Sequence, residues 1–244
     1  MRYSVILPVL NEEAVLSKCL ENIRAVLPDA EVIVADGGSS DNSRQVASKA
    51  GVRVVVSVPG RGTQMNTGAA VASGDILVFL HADSHLPLGA GKMMGDFFKV
   101  PSAHIGTFRL AFDDKHWLLR CYAWMTRFDS VFTRFGDQCI FIRRLFFDQI
   151  GGFPNWPLFE DVHFLRMARK RTKIFSLPAA VQTSARRFLE NGIFIQQVRN
   201  AGYLFQYLGG VSPQSLAARY AKGKAARRRL LKPCSKETTA CLTR

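Results

Sequence analysis

Short apolar runs rich in β-branched residues alternate with segments of helical periodicity through the first hundred residues of the chain. Each run ends in glycine, proline or small polar residues, as strands commonly do. We predict strands at 3–9, 31–35, 53–57 and 75–80. Between the first two, apolar residues recur every three or four positions, which predicts a helix with one face against a sheet. This alternation indicates βα units and an α/β fold.

Polar residues mark where the first two helices begin. Asn11 is expected to cap the first helix, and Ser40 or Asp41 to cap the second. A short helix of small residues is expected to follow the loop at 58–62.

Beyond Pro87 the alternation becomes less regular. We predict helices at 90–99, 117–128 and 193–208, and a further one that begins at Glu160. We predict strands at 104–112 and 138–143, with two short strands within 174–184. The order of these elements predicts a mixed rather than a purely parallel sheet.

The formal charge of +14 is concentrated at one end of the chain. Nine of the 33 lysines and arginines lie beyond residue 214, against a single acid, Glu237. A basic tail fits a phosphate-rich ligand, an anionic membrane surface or a solvated terminus. No apolar run approaches the roughly 20 residues that cross a bilayer, and the N-terminus lacks a cleavage site, so a cytoplasmic protein is expected. Five scattered cysteines without a CxxC pair are expected to be reduced thiols.

Polar residues and glycines follow the predicted parallel strands, at the sheet edge where open α/β folds bind ligands. Asp36 ends the second strand, where its carboxylate could accept a hydrogen bond from a base or a ribose hydroxyl, and Gly37 would let a ligand approach. The alternative is an aspartate that caps its own loop. Arg61 lies between two glycines just before a helix, which suits a diphosphate, although a solvated turn has the same composition.

The triplet His81-Ala82-Asp83 ends the most apolar strand. Two side chains one residue apart on an extended chain point the same way, so His81 and Asp83 could grip one cation. Imidazole with carboxylate suits Mn²⁺ and tolerates Mg²⁺. The alternative is that His81 bonds within the rim of the core and Asp83 alone is functional.

Two acids, Glu160 and Asp161, stand at the start of a predicted helix. The helix dipole favours acids there without any function. They follow a glycine-rich segment at 151–154, which we interpret as a hinge-like loop able to carry them over a ligand cleft.

Four segments, at 4–13, 31–43, 60–84 and 151–164, resemble the GT-A family-2 glycosyltransferases in order and spacing. They read SVILPVLNEE, EVIVADGGSSDNS, GRGTQMNTGAAVASGDILVFLHADS and GGFPNWPLFEDVHF. The resemblance is closer to a bacterial subgroup linked to radical-SAM and selenium-related gene clusters, in which the metal motif reads HAD. It covers about residues 3–220 and implies a GT-A fold, with a mixed central sheet flanked by helices.

The resemblance also implies a nucleotide-diphospho-sugar donor, with a UDP-sugar expected, and an acceptor hydroxyl. Asp161 would be the base of an inverting reaction, and Glu160 would orient the acceptor or neighbours of Asp161. Asp83 would bind Mn²⁺ or Mg²⁺, with His81 in place of the first acid of the DxD motif. The nucleotide, its ribose or its diphosphate would contact Pro8, Asn11, Glu12, Asp36, Gly37, Arg61 and Asn66.

The resemblance implies one domain over 1–222, in which 1–86 bind the nucleotide and 87–222 the acceptor, followed by a basic, flexible tail at 223–244. The tail could contact an anionic membrane. The QxxRW element of many family members is not intact, so the role of Gln196, Gln197 and Arg199 is open. An apolar surface for the acceptor could come from Phe108, Trp117, Trp124 and Trp156.

Three alternatives stay open. A nucleotidyltransferase would usually carry a G-x-G-T-R loop after the first strand, where this chain reads PVLNE. A basic protein that binds nucleic acid or membrane surfaces is a second possibility, although the tail lacks the interleaved aromatic residues of specific readout. The third is a degenerate transferase that binds nucleotide without catalysis.

Overall fold

The computed structural model describes the backbone of residues 1–230 and the side chains of residues 1–221. The strands are β1 (Tyr3–Val9), β2 (Glu31–Asp36), β3 (Arg53–Val56), β4 (Ile76–Phe79), β5 (Ser84–His85), β6 (Ile105–Phe112), β7 (Ile140–Arg143) and β8 (Phe175–Thr183). The helices are α1 (Glu13–Val26), α2 (Ser43–Lys49), α3 (Arg61–Val71), α4 (Ala90–Phe98), α5 (Trp117–Met125), α6 (Arg144–Ile150), α7 (Glu160–Arg169), α8 (Arg186–Asn191), α9 (Ile193–Leu208) and α10 (Pro213–Leu230). A short 3-10 helix, Gly136–Gln138, precedes β7.

The strands form one mixed sheet in the order β3-β2-β1-β4-β7-β6-β8-β5. β1 to β4 pair in parallel, as the βα alternation predicts. β7 is antiparallel to both of its neighbours, β4 and β6, and β5 is antiparallel to β8. The mixed sheet predicted from the second half of the chain is therefore confirmed.

Helices cover both faces of the sheet because the central strands are buried on both sides. In β1, Val5 and Leu7 pack with Leu16 and Ile23 of α1 on one face. Ile6 points to the other face, where α3, α6 and α7 pack. α3 approaches β1 so closely that a Cβ at Gly68 would lie 2.5 Å from Cγ2 of Ile6. The second half of α3 is thereby packed closely against the sheet.

The structure corrects three details. The two short strands predicted within 174–184 are one strand, β8, in which the pairing with β6 shifts register between Phe108 and Arg109. Asn11 does not cap α1, because its side chain accepts a hydrogen bond from the Ser40 N–H at 2.8 Å. The N-cap of α2 is Asn42, without a side-chain cap, although Asp41 accepts the Ser43 N–H at 2.9 Å.

Several elements were not predicted, namely β5, α6, α8 and α10. Residues 223–230 of the predicted tail belong to α10, and residues 231–244 lie outside the described part of the chain. Among the described residues, no helix is long and apolar enough to span a bilayer. Cys19, Cys121 and Cys139 are free thiols, as expected, whereas Cys234 and Cys241 lie outside the described residues.

Candidate active site

A cavity of about 680 Å³ lies beside the ends of β4 and β8 and is flanked by α5, α8 and α9. Its volume lies within the range of roughly 300–1,000 Å³ typical of small-molecule sites. One part of the lining is a charged group: Arg61, His81, Asp83, Asp137, Glu160, Asp161 and Arg187. Another part is an aromatic wall of rings in mutual contact: Phe112, Tyr122, Phe135 and Phe188.

Asp161 lies in the first turn of α7, which begins at Glu160 as predicted. Its Oδ2 accepts a hydrogen bond from the Gly136 N–H at 2.6 Å, and its Oδ1 accepts the Val162 N–H at 2.8 Å. A side chain at position 136 would crowd the carboxylate, since a Cβ there would lie 3.1 Å from Oδ2. The 3-10 helix and α7 therefore hold this carboxylate in one orientation at the cavity.

Glu160 is 5% exposed and also lines the cavity. Burial, and then the charge of Asp161, raise the pKa of Glu160 to about 7, although Arg61 opposes the shift. Glu160 therefore holds its proton up to about neutral pH. α3 approaches Glu160 closely at Gly62, where a Cβ would lie 3.3 Å from the Glu160 Cβ and would overlap the Pro154 carbonyl oxygen.

Asp137 is a cavity residue that sequence reasoning missed. Burial, followed by the charges of Asp161 and Asp83, raises the pKa of Asp137 to about 7. Its Oδ1 is buried and has no hydrogen-bond partner among the described residues. The sequence signal for Asp137 was an acid placed directly before a predicted apolar strand. That signal indicates a cavity residue only when the pairing of β7 with β4 is known.

His81 and Asp83 follow β4 and line the same cavity. Burial, and then the charge of Arg61, lower the pKa of His81 to about 3. The imidazole is therefore neutral, which is the form that binds a metal. No cluster of three or more His, Cys, Asp or Glu side chains suited to a metal ion occurs in the described part of the chain. The pair fits a divalent cation as a partial ligand set, completed by oxygens of a bound diphosphate.

Arg61 and Arg187 provide positive charge next to Asp83. Neither arginine makes a salt bridge to a described residue, whereas the adjacent Arg186 pairs with Glu12 at 3.3 Å. The charge of Arg61, and then partial desolvation, lower the pKa of Arg187. Two guanidinium groups that repel each other and have no carboxylate within salt-bridge distance are suited to an anion. Arg187 lies on α8, which the sequence did not predict.

Six of the predicted site residues do not line the cavity: Pro8, Asn11, Glu12, Asp36, Gly37 and Asn66. The Asp36 carboxylate is fully buried and accepts hydrogen bonds from Nε of Arg44 at 2.6 Å and from the Gly38 N–H at 3.0 Å. Burial alone would raise the pKa of Asp36, but hydrogen bonds from Ser39, Arg44 and Gly38 outweigh it and lower the pKa. This geometry is that of an aspartate capping its own loop.

The close approach permitted by Gly37 is used by a protein side chain. A Cβ at Gly37 would lie 2.9 Å from Cδ of Gln64. The Gln64 amide donates to the carbonyl oxygens of Val9 at 2.7 Å and of Ala35 at 2.8 Å, so it ties the ends of β1 and β2 together. Sequence reasoning missed this buried glutamine.

Asn66 also makes a structural contact. Its Oδ1 accepts the Phe153 N–H at 2.9 Å and its Nδ2 donates to the Phe153 carbonyl at 2.8 Å. Phe153 packs on Phe79 and Phe164 with ring centroids 4.9 and 4.2 Å away. The segment at 151–154 is therefore fastened to α3 and to the core, which disagrees with its interpretation as a hinge.

The suggested acceptor aromatics are not in the cavity either. Phe108 is fully buried in the core. Trp117 and Trp124 are exposed by 65% and 53%, and Trp156 packs on His163 at a centroid distance of 4.3 Å. None of these four residues lines the cavity.

Comparison with known proteins gives the family. Residues 4–172, more than half of the chain, match the model of glycosyl transferase family 2. A PGL/p-HBAD biosynthesis glycosyltransferase of Mycobacterium bovis is 32% identical over 195 residues, which are 73% of this chain and 72% of the relative. Glucosyl-3-phosphoglycerate synthase of Mycobacterium tuberculosis is 38% identical over 91 residues, which are 33% of this chain and 28% of the synthase.

Solved structures agree on the fold. Residues 1–349 of S. aureus TarS in complex with UDP superpose with a TM-score of 0.63 at 18% identity, over 75% of this chain and 60% of that fragment. The M. tuberculosis synthase in complex with Mn²⁺, UDP and phosphoglyceric acid gives a TM-score of 0.61 at 20% identity, over 86% of this chain and 79% of the synthase. These likenesses confirm the predicted GT-A fold. With the family model and the mycobacterial relative, they establish that the chain belongs to glycosyl transferase family 2.

Proposed function

We propose that this glycosyltransferase, whose donors are nucleotide-diphospho-sugars, inverts the transferred sugar, uses Asp161 as the base and is assisted by a divalent cation at His81 and Asp83. One observation carries the proposal: Asp161, Asp83 and Arg61 line one cavity. The cavity therefore offers the acceptor a carboxylate, that of Asp161. It offers the leaving diphosphate a cation, Arg61, and a cation-binding group, Asp83.

The base role follows from the chemistry of the acceptor. A sugar or alcohol hydroxyl has a pKa far above neutrality, so a carboxylate must take its proton as the bond to the anomeric carbon forms. Asp161 is held for this by the N–H groups of Gly136 and Val162. Attack on the face opposite the leaving diphosphate inverts the anomeric centre.

Arg61 and Arg187 would stabilise the negative charge that develops on the leaving nucleoside diphosphate. A divalent cation, when bound by His81 and Asp83, would supply Lewis-acid stabilisation of the same oxygens. The Mn²⁺ and UDP in the structure of the mycobacterial synthase support a cation and a UDP-sugar donor for this chain. The UDP complex of TarS supports the same donor.

Other parts of the sequence hypothesis stay predictions. We also propose the two halves of the domain at 1–86 and 87–222. We further propose that the nucleotide contacts Pro8, Asn11, Glu12, Asp36, Gly37 and Asn66. The link to radical-SAM and selenium-related gene clusters stays a prediction. The cytoplasmic location and the membrane contact through the basic tail stay predictions too. Family membership removes the support for the nucleotidyltransferase and for the basic protein that only binds nucleic acid or membrane surfaces.

The experiment is a donor panel of UDP-, GDP- and dTDP-sugars with Mn²⁺, in which released nucleoside diphosphate is measured. Asp161→Asn should lower the release rate by about 10²-fold or more, the usual contribution of a general base, and should still bind UDP. Asp148→Asn is the control, because Asp148 is an exposed acid outside the cavity lining. Undiminished turnover by Asp161→Asn would remove the base assignment, and no release by the wild type would indicate the degenerate transferase.

A further inference from the structure

The proposed reaction assigns no role to the aromatic wall. Phe112 and Phe188 pack edge to face with ring centroids 5.4 Å apart. Tyr122 contacts Phe112 at 5.8 Å and Phe135 at 6.4 Å. All four rings line the cavity, and none belongs to the two clusters that hold the sheet to its helices, although Phe135 also packs against the cluster around Val162 and Tyr207. A donor diphosphate gains little from such a surface, because its charge favours the arginines.

Tyr122 joins the aromatic wall to the acids. Burial, and then the charges of Asp137 and Asp161, raise the pKa of the Tyr122 phenol well above its ordinary value. Those charges act on Tyr122 because its phenol, itself part of the wall, lies near the two carboxylates. A molecule lying on the wall would therefore reach the base at one of its ends.

Gln196 indicates a ligand site independently of the aromatic wall. It is 5% exposed, lies on α9 and lines the cavity. Its Nε2 donates to Oδ1 of Asn200 at 2.6 Å, which fixes the amide. Its Oε1 is buried without a partner among the described residues. A buried acceptor without a partner costs free energy that a ligand donor can recover.

We infer that the aromatic wall is the acceptor subsite, and that it binds an acceptor with a flat apolar body, which presents its reacting hydroxyl to Asp161 and a second hydrogen-bond donor to Gln196. The inference rests on the proposed function for the identity of the base. It adds the chemical class of the acceptor, an aromatic or similarly flat hydroxyl compound rather than a fully polar sugar.

The test uses two probes that differ only in the aglycone, methyl β-glucoside and phenyl β-glucoside. Binding of each to the UDP-saturated enzyme is measured by calorimetry. Burial of one aromatic ring should make the phenyl probe bind about tenfold more tightly or better. Equal affinities would overturn the inference.

Two variants locate the effect. Phe188→Ala should bring the ratio of the two affinities close to one, whereas Phe194→Ala should preserve it, because Phe194 is 68% exposed on α9 and does not line the cavity. A ratio is informative here, since general damage to the fold would weaken both probes alike. An unchanged ratio in Phe188→Ala would contradict the assignment of the wall.

Gln196→Leu should weaken the phenyl probe by about tenfold through loss of one buried hydrogen bond. Gln206→Leu, on the same helix but outside the cavity lining, is the control. Undiminished affinity in Gln196→Leu would remove this residue from the subsite. Release of nucleoside diphosphate to water, without any acceptor, tests the proposed function separately, so failure of one proposal can be told from failure of the other.

Discussion

In the loops after β1 and β2, the polar side chains are bonded to their own surroundings, whereas the cavity keeps several polar groups without protein partners. Asp36 and Gln64 have bonds to the adjoining backbone. Arg61 and Arg187 lack salt bridges to described residues, and Oδ1 of Asp137 has no hydrogen-bond partner among them. A polar residue at a strand end therefore indicates only that the residue lies near the edge of the sheet where ligands bind. A polar group in the cavity without a protein partner indicates that it can bind a ligand.

The largest effect is expected at Arg187 of α8. Arg187→Ala should lower kcat/KM for the nucleotide-sugar by about 10²-fold, the usual loss when one donor to developing negative charge is removed. Arg171→Ala should change it little, because Arg171 donates to the Gln149 carbonyl oxygen outside the cavity lining. Steady-state kinetics with the best donor of the panel measures both. Equal losses of kcat/KM in the two variants would show that bonded and unpaired arginines do not differ in their effect on the reaction.

A smaller effect on stability is expected where α3 meets the loop before α7. Gly62→Ala should lower the free energy of unfolding by about 1–3 kcal/mol, the cost of overpacking, since its Cβ would overlap the Pro154 carbonyl oxygen. Gly202→Ala on α9 is the matched control, because nothing lies within 4 Å of the added Cβ. It should leave stability unchanged or raise it slightly. Urea unfolding at equilibrium compares them, and equal stability of the two variants would contradict the close approach.

The smallest effects are two opposite pH dependences. The pKa of Asp36 is lowered by folding, so its contribution is present above the unfolded value of about 3.9 and is lost as the pH falls through the folded value. Asp36→Asn should therefore cost about 1–2 kcal/mol at neutral pH, and less in acid. The pKa of Glu160 is raised to about 7, so the wild type should lose stability as the pH rises above about 4.3 and become constant above about 7.

Urea titrations of the wild type, Asp36→Asn and Glu160→Gln at about pH 3, 5 and 8 check these signs. Glu160→Gln should gain stability relative to the wild type between about pH 5 and pH 8. The same sign for both variants would show that the two carboxylates do not differ in environment.

Local pattern predicted the strongly periodic elements well. β1, the start of α7 and α9 lie where the sequence placed them, because apolar spacing records which face of an element is buried. α8 escaped prediction, since none of its six residues is buried and it therefore has no apolar stripe. β5 is two residues long and is defined only by its pairing with β8.

The candidate site was predicted in part, for a similar reason. Arg61, His81, Asp83 and the two acids of α7 were found because each follows a recognisable strand or begins a helix, and the structure brings them to one cavity. Asp137 and Gln196 depend on contacts between distant segments, which residue spacing does not record. The partners of Asn66 were hidden too, because its amide bonds to a residue 87 positions away in sequence.

The contact between Asn66 and Phe153 also bears on how turnover is organised. Since α3 begins with Arg61, and α7 begins with the two acids just beyond the fastened segment, the groups proposed to face the donor and the acceptor share one frame. Their mutual spacing is established when the protein folds and need not be rebuilt in each catalytic cycle.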